Sequence, residues 1–213
     1  MNITIFGATG KTGVPLVQQA LDKGYNVTAF VRTPSKMGIE HERLTLVQGD
    51  AMSGADVARA ISADTDAVIS ALGHVRGGNT PSNMQTVATS NIIGAMERHG
   101  VKRLVSLTGG GVRAAGDEPK LMDRIMRFAL KTLQKDVLTD AENHFEVMKQ
   151  HPEIEWVLVR GPMLTEEPAK GSIKVDHIGG DVGIRLSRED LAAFMLEQVE
   201  SDRWVHKAPF VSN

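Results

Sequence analysis

The chain has 213 residues, 41% of them hydrophobic, and a formal net charge of −2. That is enough for one sizeable α/β domain and short for two. The near-neutral balance offers no basic surplus for a nucleic-acid partner, and no apolar stretch is long enough to span a bilayer. With no cysteine, disulfides, thiolate catalysis and zinc–thiolate sites are excluded together. Met1-Asn2 runs straight into an apolar segment with no signal-peptide pattern, so a cytoplasmic location is the expectation.

The first predicted element is a strand over Ile3-Thr4-Ile5-Phe6. The run Gly7-Ala8-Thr9-Gly10-Lys11-Thr12-Gly13 follows it, and then Val14, Leu16, Val17, Ala20 and Leu21 fall at helical spacing. Strand, glycine turn and helix in that order present free N–H groups and a partial positive charge to an anion. Gly7 would allow the tight turn, Gly10 the approach of a pyrophosphate, and Gly13 close packing of helix on strand. The spacing is Gly-x-x-Gly-x-x-Gly, not the commoner Gly-x-Gly-x-x-Gly. Lys11-Thr12 after Gly10 suggests a Walker A loop, but the glycine that motif needs is Ile5, which argues against a nucleoside triphosphatase. A dinucleotide site is therefore expected, the alternative being a turn that merely connects strand to helix.

Gly24 reads as the residue that ends the helix, and Asn26–Val31 as the second strand. Where NAD-preferring sites carry an acidic residue, this chain has Arg32, with Lys36 nearby. A guanidinium there can stack on adenine and pair with a 2′-phosphate, pointing to NADP(H), unless Arg32 is an ordinary loop arginine. A third strand is expected over Leu44–Asp50. Asp50-Ala51 at its end sits either by the adenine or at the start of the next helix, with Asp50 as its N-cap. Ala67–Gly73 is a near-continuous apolar strand, as a sheet buried on both faces requires. Gly73 at its end would let the chain pass close to a cofactor. A Gly/Asn/Pro/Ser loop over 77–83 and a helix to about His99 follow.

Lys102–Thr108 is the fifth strand, opening into Gly109-Gly110-Gly111. Leu121, Met122, Ile125, Met126, Ala129, Leu130 and Leu133 mark one face of a long helix, and a second helical segment runs from about Asp140 to Gln150. Glu155–Arg160 is the sixth strand, ending in Gly161-Pro162-Met163. Ser187-Arg188-Glu189-Asp190 looks like a helix start, and a short final strand is expected over about 207–211. The whole chain, 1–213, reads as one α/β domain.

The ordered set Ile5-Phe6-Gly7-Ala8-Thr9-Gly10-x-Thr12-Gly13, Val31-Arg32, Gly49-Asp50, Leu72-Gly73, His99-Gly100-Val101-Lys102-Arg103 and Ser187-Arg188-x-Asp190-Leu191-Ala192 resembles the atypical short-chain dehydrogenase/reductase group. That group includes biliverdin reductase B (flavin reductase) and NmrA-like proteins. The resemblance implies a doubly wound parallel sheet (Rossmann fold) with NADP(H) across the carboxyl edge of the strands and substrate-pocket elements from the C-terminal third. By position it implies cofactor contacts at Gly7, Thr9, Gly10, Thr12, Arg32, Asp50, Leu72, Gly73 and Thr108. Lys11, Gly13, Lys36, Ala51, Gly109 and Pro162 adjoin these and complete the expected cofactor set.

The larger short-chain dehydrogenase family uses Tyr-x-x-x-Lys as the proton donor to a carbonyl. The single tyrosine, Tyr25, precedes the second strand, away from the nicotinamide half of the site, so alcohol or ketone chemistry of that kind is not expected. A flavin, quinone or similar planar acceptor takes a hydride and draws a proton from water, leaving the protein to position the rings. Expected pocket residues are Arg113, Met122, Met126, His144 and Met163. The methionines could instead be core filling and His144 a structural histidine. Thr108 is the candidate catalytic hydroxyl, its alternative being a strand-end threonine bonded to backbone. Where the flavin reductase has a serine after the threonine matching Thr108 and a histidine after the proline matching Pro162, this chain has Gly109 and Met163, a larger and more apolar pocket. The remaining histidines lack ligand spacing, so no metal is expected. The expected partner is a small planar acceptor, with neither nucleic acid nor membrane, for a monomer or homodimer. The alternative function is a non-catalytic NADP(H)-binding sensor of NmrA-like type.

Overall fold

The computed structural model describes residues 1–74 and 80–213; 77–79 of the expected polar loop lie outside that range. The chain alternates β1 (Asn2–Phe6), α1 (Gly13–Asp22), β2 (Asn26–Val31), β3 (Leu44–Gln48), α2 (Gly54–Ala58), β4 (Ala67–Ser70), α3 (Met84–His99) and β5 (Arg103–Gly109). Then come α4 (Leu121–Leu133), α5 (Lys135–Lys149), β6 (Glu155–Gly161), β7 (Met163–Thr165), β8 (Lys174–Asp176), β9 (Arg185–Ser187), α6 (Arg188–Glu197) and β10 (Phe210–Ser212).

The main sheet runs β3-β2-β1-β4-β5-β6-β10-β8. Its strands are parallel except β8, which pairs antiparallel with β10. Strand order reverses between β1 and β4, the switch point at which doubly wound sheets bind ligands beyond their carboxyl ends. β7 and β9 pair separately as a two-stranded parallel sheet.

Alternation along each buried strand divides the core into two layers. Ile3, Ile5, Val27, Ala29, Val105 and Val157 pack with Leu16 and Val17 of α1 and Leu191, Phe194 and Met195 of α6. Phe6, Phe30, Val68, Leu104 and Leu158 face the other way, onto Ile92 and Met96 of α3 and Phe145 and Met148 of α5. Burial on both faces explains why β1, β4 and β5 read as apolar runs without a polar face.

Four expectations change. The fourth strand ends at Ser70, where its pairing with β1 and β5 stops, short of Gly73. The second helical segment begins at Lys135, because α4 and α5 are divided only by Gln134. The final strand lies over Phe210–Ser212, where the chain pairs with β8; Lys207 makes only an isolated bridge to Val157 of β6. The third strand ends at Gln48, where the pairing with β2 stops at Val31. Among the described residues no helix is long and apolar enough to cross a membrane.

Candidate functional site

The glycine loop joins β1 to α1 over the carboxyl edge of the sheet. Gly7 holds φ +77°, and a Cβ there would stand 2.8 Å from the backbone carbon and oxygen of Ala71. The loop therefore passes directly against the chain leaving β4. At Gly13 a Cβ would stand 2.1 Å from the Gly7 oxygen and 2.8 Å from Ala8 Cα. These are backbone atoms of a closed loop: the Gly10 N–H donates to the Gly7 oxygen and the Val14 N–H to the Gly10 oxygen, each at 2.9 Å. Thr9 is half-buried and Gly10 exposed. The positive end of α1 faces out of this edge.

Thr12 is the N-cap of α1, but its hydroxyl bonds no N–H of the helix. It accepts instead from Arg188 Nη1 at 3.1 Å. Arg188 Nε is buried without a hydrogen-bond partner among the described residues, so a second cation stands over the loop. Lys11, exposed, pairs with Glu166. Sequence reasoning quoted Ser187-Arg188-x-Asp190 as a helix start. Nothing in that pattern shows that the guanidinium reaches back to residue 12.

Arg32 is the first residue beyond β2 and is exposed; its carbonyl accepts from Gln48 Nε2 at 3.3 Å. Lys36, also exposed, closes a single 3₁₀ turn over Pro34–Lys36. Asp50 follows β3, where its Oδ1 accepts the Met52 N–H at 2.9 Å. It is not the N-cap of α2: Ser53 is, its hydroxyl accepting the Asp56 N–H at 3.3 Å. Ala51 is buried, and its carbonyl accepts from Asn91 Nδ2 at 2.9 Å.

Gln85 Nε2 ties the ends of β4 and β5 together, donating to the Leu72 oxygen at 3.1 Å and the Leu107 oxygen at 3.3 Å. Gly73 and Gly109 flank this bridge. Both are exposed, and a Cβ on either would meet no described atom within 4 Å. Thr108 is buried with Oγ1 unbonded among the described residues, so the backbone-bonded threonine is not realised. Pro162 stands at the end of β6, one residue beyond the Gly109–Gly161 pair. Every expected cofactor residue thus lies at or just beyond the carboxyl end of a strand, or in the loop that follows it.

The expected pocket residues divide. Met163 is exposed beside Pro162. Arg113 lines a cleft of about 620 Å³ together with Arg160, Phe145, Trp156 and His206; no expected cofactor residue lines it. His144 faces no opening: it is buried between α5 and β5, with Nε2 2.9 Å from Ser106 Oγ. Burial pushes its pKa down to about 4, against the raising influence of Asp140. Met122 and Met126 neither line that cleft nor fill the core; they are exposed on α4.

Sequence reasoning missed the network around Asp140. This side chain, on α5, is fully buried at the start of α3. Its Oδ2 accepts from the Gln85 N–H at 2.8 Å, and its Oδ1 from the Thr86 N–H at 3.0 Å and the Thr86 hydroxyl at 2.6 Å. His74 Nε2, just beyond β4, lies 2.8 Å from Oδ2. The carboxylate of one helix therefore caps another. Far from this edge, Glu97, His151 and Glu153 cluster, with His151 Nδ1 2.9 and 2.8 Å from the two carboxylates. That grouping was also not foreseen.

A family model described as NAD(P)H-binding matches residues 7–202. An uncharacterised chloroplastic protein of Arabidopsis thaliana is 29% identical over 181 residues, 82% of this chain and 63% of its own length. A 3-beta-hydroxysteroid dehydrogenase of Mycolicibacterium neoaurum is 30% identical over 125 residues, 54% of this chain and 34% of its own. The chain thus spans less than two thirds of either curated relative. Among solved structures, an oxidoreductase from Lactococcus lactis superposes with a TM-score of 0.82 at 21% identity, covering 100% of this chain and 91% of that one. A short-chain dehydrogenase/reductase from Veillonella parvula in complex with NADP gives 0.80 at 17% identity, covering 100% and 94%. At such identities these two likenesses bear on the fold.

Proposed function

Because the chain belongs to the NAD(P)H-binding family, matched over residues 7–202, we propose that it is an NADPH-dependent reductase passing hydride to a flavin, quinone or similar planar acceptor. The observation that carries this reading is the make-up of the carboxyl edge. Cations stand over one half of the expected cofactor trough, Arg188 at the glycine loop after β1 and Arg32 with Lys36 beyond the neighbouring β2. On the other side of the glycine loop, beyond β4 and β5, the edge has open space at Gly73 and Gly109 and no tyrosine. Tyr25 is buried just ahead of β2, at the amino edge.

The residues present fit a dinucleotide. Gly7 and Gly13 keep the loop free of side chains that would displace its backbone. The first turn of α1 offers N–H donors, and the Arg188 guanidinium a charge, to a pyrophosphate. Arg32, with Lys36, would hold the 2′-phosphate that distinguishes NADPH. The Thr108 hydroxyl, buried and unbonded, has a free donor and acceptor for a carboxamide or an acceptor carbonyl. Gly109 and Met163 leave the space beside it open and apolar. NADPH, when bound, supplies the hydride. The chain's contribution is to align two rings and admit water as the proton source, so no acidic side chain is required.

The experiment is NADPH oxidation followed by nicotinamide absorbance, with FMN, riboflavin and small quinones in turn and NADH as control. Turnover above the enzyme-free rate, favouring NADPH, is the expected result. Tight NADP(H) binding without turnover on any acceptor would instead favour the sensor, for which the outward apolar face of α4 offers a partner surface.

A further inference from the structure

Six of the ten exposed large apolar side chains among the described residues lie on α4: Leu121, Met122, Ile125, Met126, Phe128 and Leu133. Leu121, Phe128 and Leu133 are 74%, 72% and 80% exposed, and no residue of the helix is buried. The helix is amphipathic but inverted. Asp123 and Arg127, with Leu130, face the protein: the Asp123 carboxylate closes the first turn on the Lys120 N–H, its carbonyl accepts from Arg113, and Arg127 bonds the Gly111 carbonyl and Glu142. At 100° per residue, Leu121, Ile125 and Phe128 then point outward, with Met122, Met126 and Leu133 on one flank. Arg124 and Lys131, both exposed, occupy the other, and the exposed Lys135 opens α5 two residues beyond the end of α4.

We propose that α4 docks the protein onto an anionic lipid surface. Apolar side chains facing outward beside a row of cations are what a helix lying in a bilayer interface requires: the apolar face enters the acyl boundary and the long cationic side chains remain among the headgroups. The cations are local, since the chain as a whole carries −2, so attraction to an anionic surface would orient the molecule with α4 toward it. A second copy fits less well. An antiparallel two-fold pairing would set the basic flanks of two helices side by side. The inference is separate from the expectation of no membrane partner, which rested on the lack of a spanning segment, and it does not depend on the acceptor or on turnover.

The test is flotation of the full chain with vesicles of phosphatidylcholine alone and of phosphatidylcholine with phosphatidylglycerol, at low and high salt. The variant Ile125→Glu/Phe128→Glu changes two exposed positions outside the expected site; an unchanged melting curve and unchanged NADPH binding would show that it folds. The expected result is flotation with phosphatidylglycerol vesicles, reduced by salt and about tenfold or more weaker in the variant. Arg124→Glu/Lys131→Glu should weaken it as well. Absence of flotation, or flotation equal in parent and variant, would overturn the proposal. So would a dimer in sedimentation that the variant dissociates while neither form binds vesicles.

Discussion

In the proposed NADPH site, the charge at Arg32 would decide which nicotinamide cofactor fits. A carboxylate there would repel a 2′-phosphate and accept from a free ribose hydroxyl. Arg32→Asp should therefore weaken NADPH binding by about 1.4–2.7 kcal/mol, roughly 10–100-fold, while leaving NADH binding equal or better. Titration of each cofactor against nicotinamide fluorescence reads this directly, and an NADPH affinity that did not change would remove Arg32 from the site. Gly13 tests the loop differently. Its missing Cβ is matched by three backbone atoms within 2.8 Å, so Gly13→Ala must push α1 away from β1. A loss of about 1–3 kcal/mol in urea unfolding, with cofactor affinity falling alongside, is expected. Retained affinity in a destabilised variant would mean that the loop only connects.

At the scale of elements, what was legible depended on whether an element's own residues decide its place. β1, the glycine loop, α1 and β2 could be read because each carries its own signal: an apolar run, a glycine triplet, a 3.6-residue period, a helix-ending glycine at Gly24 with φ +84°. The edge of the sheet could be read only in part: a short final strand was legible near β10, but β8, Lys174–Asp176, is too short for a period and pairs only because β10 returns alongside β6. α4 shows a subtler failure. Its period was plain, but which way the apolar face turns is decided by Asp123 and Arg127, which anchor the opposite side to the protein. Asp140 was beyond reach altogether, since nothing in its neighbourhood announces that it caps a helix 54 positions earlier. Because it accepts two N–H groups, a hydroxyl and the His74 ring while fully buried, Asp140→Ala should cost about 3 kcal/mol or more by leaving those donors unpaired. Hydrogen exchange should show the first turn of α3 opening before the rest of that helix. Uniform loss of protection across the molecule would argue that the cap holds no separate unit.

For the molecule as a whole, pH should act through His144. Burial pushes its pKa from 6.5 down to about 4 in the folded chain, so between those values the unfolded chain binds a proton that the folded one refuses. Stability is then fully present above about pH 6.5 and is lost as pH falls toward 4, by on the order of 3 kcal/mol in all. Carboxylates that the fold holds low act in a separate window. Asp117 is one: burial would raise its pKa, but Arg160 and the Ala114 and Ile178 N–H groups together hold it down. Such groups contribute stability that is present above their unfolded pKa of 3.8 and lost only below it. Urea midpoints measured from pH 7 to 5.5 therefore read the histidine clear of the carboxylates, the glutamates among them starting from 4.5. His144→Gln keeps a polar atom for Ser106 and removes the titration, so it should lower stability at pH 7 and flatten the curve across that window, the gap to the parent closing as pH falls. If parent and variant ran parallel instead, the acid sensitivity would lie elsewhere, and the buried Ser106–His144 contact would be no more than packing.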